Sequence, residues 1–500
     1  MSLAPDNPAP GGTLLKSGDD IKALAKGGRT NFFGFLLRLA ARLPFLFIAG
    51  RWYGAEALGR FAYAVIIVEF AATLATLGLK RGLAEQLSKA DRPHVHVVWD
   101  AMLVAAVASA IAAAILAALP ELMFPNSGIN GLEWLLPLAI FALAWSDIAL
   151  AALAYRLDIG ATVRARSVIE PWTISLAAFF LAFYSLRDGL IISYVVSMIA
   201  ALIASIWPMV RSFGPPRGWR PRPAALVTLT RRNIPLAAAD AIEWGSRRID
   251  LAILGLFFSP ATVGIYYVAQ QVASLPQKLK TSFDPILGPV ITRNLKAGNR
   301  AAIARQVSQV GFWILAAQAG IGLALGIPGE GVMGLVGPNF VGGNGALACL
   351  LIAEVVAATA VVSEAALIYI ARHRNLWISL LMVGLQVALS FAFVLALRHA
   401  LHAPLLWQAA GPAAAMAVAL GISSIVKARL LAQMLGAPVS GWRWSLILAA
   451  AAATAVGYLA TRLPEWAELL LGIPAILLTF GFVVWRIGFT NEDRALLRFK

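Results

Sequence analysis

From residue 30 to residue 485 the chain is a succession of apolar runs, each about twenty residues long, separated by short polar breaks. A run of that length suffices to cross the roughly 30 Å hydrocarbon layer of a bilayer as a helix. Fourteen can be read: 30–50, 58–79, 97–119, 133–155, 168–186, 190–210, 234–257, 262–284, 306–327, 346–370, 375–397, 405–426, 444–461 and 466–485. Gln270, Gln271 and Gln277 interrupt the eighth. Hydrophobic residues make up 60% of the chain and charged ones 13%, with a mean hydropathy of +0.77. Soluble domains lie near 45–50% apolar and about 25% charged. The predicted fold class is therefore an all-α polytopic membrane protein.

The formal net charge of +16 invites a nucleic-acid reading, which the distribution of the charge rejects. When alternate loops are assigned to opposite sides, only Arg51, Arg187, Arg398 and Arg462 fall on one side. Nearly all other Lys and Arg residues fall on the other, among them Lys80, Arg81, Arg164, Arg166, Arg217, Arg231, Arg232, Arg293, Arg372 and Lys427. Such asymmetry is the positive-inside pattern, which predicts a multi-pass membrane protein with both termini in the cytoplasm. The basic side would also attract anionic lipids, and no nucleic acid is implied. Residues 1–29 lack an uninterrupted apolar core and read as a cytoplasmic tail rather than a secretory leader; residues 14–26 suit a surface helix or a disordered segment equally. The single cysteine, Cys349, lies in an apolar run and offers no disulfide framework.

The beginning of the chain recurs 205 residues downstream. Arg42, Gly50, Gly59, Phe61 and Ala64 match Arg247, Gly255, Gly264, Tyr266 and Ala269. Six runs separate the copies, so both enter the bilayer in the same direction, as in a parallel repeat. The organisation that follows is a tail (1–29), a first lobe (30–210), a Pro- and Arg-rich cytoplasmic linker (211–233) in which 224–232 can form a surface helix leading into span seven, a second lobe (234–430), and two further spans with the C-terminus (431–500).

Span seven carries the most polar chemistry. Asn233, Asp240, Glu243, Arg247 and Asp250 are spaced 7, 3, 4 and 3 apart, which keeps them within about 100° on one helix face. Arg247 can pair with Glu243 at i−4 and with Asp250 at i+3. Burying a lone charge at the bilayer centre costs about 2.5–3.5 kcal/mol, so such a stripe must face water, another helix, or both. It can line a solvated cavity or form a latch between the lobes. Span one repeats the pattern with Asn31, Arg38 and Arg42 on one face and no acid of its own. Arg248 is turned about 100° from Arg247 and faces the other lobe, and Arg60 stands at a rim. Together Arg38, Arg42, Arg247 and Arg248, with Arg60 the weakest member, read as an anion-attracting pocket, because the guanidinium fork suits phosphate oxygens. Asp240, Glu243, Asp250 and Glu69 are candidates for gating or ion coupling. Asp147, Glu170, Glu354 and Glu364 could also pair with arginines. The five histidines show no metal-ligand spacing, no GK[ST] phosphate loop or nucleophile elbow occurs, and neither a cofactor nor bond-making catalysis is expected.

Two segments resemble a known family: YGAEALGRFAYAVIIVEFAATLATLGLKRGLAEQLSK (Tyr53 to Lys89) and SRRIDLAILGLFFSPATVGIYYVAQQVASLPQKL (Ser246 to Leu279). They look like the polysaccharide transporter family of the multidrug/oligosaccharidyl-lipid/polysaccharide exporter superfamily. Leu58, Gly59 and Phe61 lead into span two, and Asp250 precedes Leu254 and Gly255, as that family's pattern has it. The likeness in layout extends over about residues 28–485. It implies two six-helix bundles in a V around a central cavity, plus two C-terminal helices. The implied cargo is a polyprenyl-pyrophosphate-linked oligosaccharide, flipped for O-antigen or exopolysaccharide synthesis, with H+ or Na+ as a coupling ion and a polysaccharide polymerase as a partner. Three alternatives stay open: a multidrug and toxin cation antiporter, an integral-membrane polysaccharide polymerase or ligase, and a non-transporting scaffold. Unpaired arginines speak against the first, and the small 328–345 loop against the second.

Overall fold

The computed structural model of the 500-residue chain describes residues 43–88, 92–129, 131–156, 158–280, 291, 294, 295, 298–490, 493 and 494. These residues are helical apart from turns and short connections. In chain order the main helices are α1 (Gly54–Ala75), α2 (Leu79–Ser88), α3 (His94–Ala118), α4 (Leu138–Tyr155), α5 (Glu170–Leu181) and α6 (Gly189–Phe213). They continue as α7 (Pro223–Phe257), α8 (Pro260–Lys280), α9 (Arg300–Gly326), α10 (Gly329–Val336), α11 (Asn344–Ile370), α12 (Arg372–His399), α13 (Gly411–Leu435), α14 (Ser445–Ala460) and α15 (Ile473–Val483). A π-helical turn, Ala49–Tyr53, precedes α1. Among the described residues, nine helical segments are long and apolar enough to cross a membrane, and the chain is a multi-pass membrane protein.

Nine is fewer than the fourteen apolar runs, for physical reasons. The first run merges into the segment Leu43–Ser88. α5 continues without a break from the helical turns Ile159–Ile169, a stretch diluted by Arg164, Arg166 and Glu170. α14 has only 16 residues, and α7 and α8 are diluted by charged and amide side chains. Within the stretch read as linker, 211–233, residues 224–232 are helical and run straight into span seven. α6 ends at Phe213 and α7 begins at Pro223, so only residues 214–222 connect them. Pro223 opens α7 because a first-turn proline lacks only an N–H that would have no helical partner. With 35 residues α7 is about 52 Å long and outreaches the hydrocarbon layer at its basic end.

The two halves meet where α1 crosses α8. A methyl built on Gly59 would collide with the carbonyl oxygen of Pro260 and lie 2.7 Å from the amide nitrogen of Gly264. One built on Gly264 would collide with the carbonyl oxygen of Ala55 and lie 2.9 Å from the Gly59 nitrogen. The backbones are thus in direct contact at two glycines that the sequence repeat had matched. Small residues serve this purpose in membranes, where lipid is as apolar as leucine and close packing drives association. As a consequence the buried apolar residues do not divide at the linker. One core joins α1–α6 to Leu251–Ala273 and to parts of α10, α11, α12 and α13. A second gathers Ile303–Ala324, Ala358–Leu367, Leu431, Leu435 and residues of α14 and α15.

α14 and α15 are fastened to α9 by one carboxylate. Asp493, fully buried, accepts from Gln309 Nε2 (2.9 Å), Trp313 Nε1 (3.0 Å), Arg443 (2.8 Å) and both Thr490 donors (2.9 and 2.8 Å). Arg443 lies over the Phe312 ring at 3.8 Å and also donates to the Gly488 carbonyl. Burial pushes the Asp493 carboxyl up, but this ring of donors outweighs it and holds the group well below the usual carboxylate range.

Two outcomes follow for purified protein followed by tryptophan fluorescence on heating. Gly59→Ala should destabilise by about 1–3 kcal/mol through overpacking, whereas Gly245→Ala, where an added methyl meets open space within α7, should stabilise by up to about 1 kcal/mol. Asp493→Asn should cost about 2 kcal/mol. Because its native-state affinity for protons is depressed, the Asp493 contribution is complete above pH ~4 and is lost on acidification below that. Equal stability of wild type and Asp493→Asn at neutral pH would contradict the fastening role.

Candidate functional site

At the basic end, α2 sits between the halves and is tied to both. Gly78, in a left-handed conformation (φ 72), lets α7 approach so closely that a methyl there would lie 2.6 Å from both the Ala237 nitrogen and the Asn233 oxygen. Lys80 then reaches Asp147 of α4 at 3.1 Å. The next residue, Arg81, turns to α7 and bonds Asp240 (2.6 Å) and Glu243 (2.5 Å). One turn on, Glu85 takes Arg232 at 2.9 Å, while Arg247 lies 3.7 Å from Glu243. Asp240 is the buried member, with its second carboxylate oxygen unbonded; Arg81, Glu243 and Arg247 are about half exposed. Exposed pairs each contribute only about 0.2–1 kcal/mol. The clasp is therefore strong enough to bias the basic end shut and weak enough to open.

Further in, α1, α5, α6, α8 and the chain before α1 enclose a cavity of about 150 Å³, room for a handful of waters. Its polar lining is Glu69, Glu170, Tyr194, Ser197, Arg248 and Gln271. Arg248 of α7 stands 3.9 Å from Glu69 of α1, an ion pair too long for a hydrogen bond. Glu170 is held more firmly: Arg166 donates to it at 2.9 Å and to Asp147 at 2.5 Å. Tyr194, nearly fully buried, contacts the Phe61 ring edge to face, and its hydroxyl has no hydrogen-bond partner among the described residues. Phe70 and Trp244 stack beside this layer and join α1 to α7.

The opposite end is closed by backbone capping as well as by the glycine crossing. Asn126 donates to the Gly255 and Phe258 carbonyls (2.7 and 3.1 Å), satisfying the last turn of α7 from the first half of the chain. Beside it, Arg60 is buried on Glu133, with further bonds to Ser127 Oγ (3.0 Å) and the Gly128 carbonyl (2.9 Å) and with Phe124 beneath it.

The structure redistributes several of the residues read from sequence. Arg248 does face the other half, and Glu69 is its acid. Arg247 pairs with Glu243 but not with Asp250. Asp250 is fully buried and instead accepts from Tyr266 Oη (2.6 Å) and Gln270 Nε2 (3.0 Å), bracing α7 against α8. Arg60 is removed from the pocket because Glu133, 73 residues away, is a fully buried partner that helix spacing could not reveal. Lys427, tallied as a loop charge, is buried in α13 on Glu364 (3.0 Å) and Ser379 (3.2 Å), because α13 continues to Leu435 rather than ending near 426. Arg38 and Arg42 lie outside the described residues. Sequence reasoning missed Tyr194 and Arg166: a tyrosine in an apolar run looks like core, and Arg166 was counted with the loops. Corrected accordingly, the described part of the site is a charge-balanced cavity whose arginines already have acids, not a set of unpaired cations.

If the clasp governs access, Arg81→Ala should raise the rate at which a polar maleimide modifies Gln271→Cys, in a Cys349→Ser background, by about fivefold, the effect of losing about 1 kcal/mol of ion pairing. An unchanged labelling rate would show that access is controlled elsewhere.

Residues 49–316 match the family described as polysaccharide biosynthesis protein, more than half of the chain. No curated protein matches the chain in sequence. The fold is shared with several solved transporters of low identity. An inward-facing multidrug resistance MATE family transporter of the MOP superfamily superposes with a TM-score of 0.65 at 13% identity, covering 80% of this chain and 98% of that one. The lipid II flippase MurJ, in an inward closed conformation, gives 0.62 at 11% identity, covering 95% and 100%. A MOP superfamily transporter from Pyrococcus furiosus, with a binding pocket of reversed polarity, gives 0.55 at 12%, covering 83% and 96%. Helices that cross at paired glycines, with a polar chamber beside the crossing, therefore occur here in a fold shared with solved transporters, and the chain belongs to the family described as polysaccharide biosynthesis protein.

Proposed function

We propose that the chain is a flippase that carries a polyprenyl-pyrophosphate-linked oligosaccharide across the bacterial inner membrane by alternating access. The observation that carries this reading is the Arg248–Glu69 cavity, which lies between a weak ionic clasp at one end and a close glycine crossing at the other. An anionic headgroup with polar sugars needs a wet, charge-bearing path, while its polyprenyl tail needs none and stays in lipid. Arg248, and Arg247 nearer the clasp, are the described cations that would take phosphate oxygens; Arg38 and Arg42 are further candidates. The clasp residues Arg81, Asp240 and Glu243 would part to admit cargo from the cytoplasm, with both termini on that side and anionic lipid headgroups at the basic surface. Glu69 and Glu170 are the groups through which H+ or Na+ could couple transport. No bond in the cargo is made or broken. A polymerase that consumes the delivered unit for O-antigen or exopolysaccharide synthesis is the partner this reading implies.

One observation favours a second reading. Two carboxylates line the cavity, and they would suit an organic cation, as in a multidrug antiporter. Replacement of Arg248 separates the two. Under the flippase reading Arg248→Ala weakens phosphate binding about tenfold or more, surface polysaccharide falls, and lipid-linked units accumulate at the cytoplasmic face. Undiminished polysaccharide with altered resistance to cationic drugs would replace the flippase by the exporter.

A further inference from the structure

Two hydrogen-bond donors in the cavity lack a proper acceptor. The Tyr194 hydroxyl is buried, with the side chain 5% exposed, and none of the described residues accepts from it. Among the described residues the Arg248 guanidinium has only Glu69, at 3.9 Å, and both partners are about one-third exposed. A buried donor without an acceptor is costly, because the water it gave up is not replaced. The neighbouring arginine is in the opposite state. Arg166 donates to both Asp147 and Glu170, so its charge is already matched by two carboxylates. Tyr194 and Arg248 line one cavity together with Glu69 and Glu170, so the idle donors share one chamber.

Resting on the flippase reading, we propose that Glu69 is a resident counter-anion: it occupies the place of a cargo phosphoryl group at Arg248 and is displaced by it, with the Tyr194 hydroxyl donating to the same phosphoryl group. A loose carboxylate is suited to that task. It keeps Arg248 from standing as a lone cation in a chamber walled by Phe61, Ile66 and Leu275. It yields to a diphosphate, which brings more negative charge and accepts the guanidinium fork in bidentate fashion. It also screens out weaker anions, because a single-contact anion gains little by evicting an equal charge. Once cargo has bound, the displaced carboxylate lies near phosphate oxygens and repels them, and return of Glu69 to Arg248 assists release. Glu69 is thus a positioning and specificity residue, and Tyr194 a direct donor.

The test is equilibrium binding of geranylgeranyl pyrophosphate to the full-length protein in phosphatidylcholine nanodiscs, with wild type, Glu69→Gln, Glu69→Asp and Tyr194→Phe. Glu69→Gln should bind about fivefold tighter, Glu69→Asp like wild type, and Tyr194→Phe about fivefold weaker. A gain of affinity on removing a charge is a sign that mere damage to the fold would not produce. Equal or weaker binding by Glu69→Gln, with wild type binding well, overturns the exchange and leaves the flippase reading standing. If the folded wild type takes none of the probe, the phosphate reading of the cavity falls, and the exchange with it.

Discussion

The architecture depends on a single close approach, the contact of backbone with backbone where α1 passes α8. Lipid gives two helices no hydrophobic reason to associate, so their separation is set by what can fit between them. At Gly59 and Gly264 nothing intervenes, and the spacing is as small as the chain allows. That distance decides which side chains can meet farther along. It brings Phe70 to Trp244, Glu69 to Arg248, and, past the end of α1, Arg81 to Asp240. With even one methyl at the crossing the helices would stand farther apart, and the Arg248–Glu69 pair, already stretched to 3.9 Å, would cease to be a pair.

The contacts grade along this seam from permanent to breakable. At the crossing they are made by backbone and by the Asn126 amide, which caps carbonyls that would otherwise lack partners in a dry place. In the middle they are long-range charge pairs around a small cavity. At the basic end they are half-exposed ion pairs, each of modest worth in water. A structure that moves about the crossing and parts at the clasp uses its weakest bonds where motion is largest.

Much of this was written in the sequence, though unevenly. The apolar runs specified a helical membrane protein, and a five-residue repeat singled out the two glycines that touch. Helical angle alone aimed Arg248 at the other half of the chain. What failed were the readings of Arg60 and Asp250, whose partners come from elsewhere in the fold. Arg60 looked like a rim cation until Glu133 came to rest against it, and Asp250 looked like the acid of Arg247 until Tyr266 and Gln270 claimed it. α7 was read too short because a basic stretch beginning with Pro223 resembles a linker, yet the same features also suit a helix that leaves the bilayer. Tyr194 carried no signal at all. An idle hydroxyl is a property of packing and not of pattern.

The account's central claim is that the halves pivot at the glycine crossing while the α2–α7 clasp opens. Spin labels at the exposed positions Ala84 and Ala238, in a Cys349→Ser background, measure the width of that clasp by electron–electron double resonance. Two distance populations are predicted, the longer one rising when a prenyl pyrophosphate lipid is added. A single narrow distance, unmoved by the lipid, would contradict it.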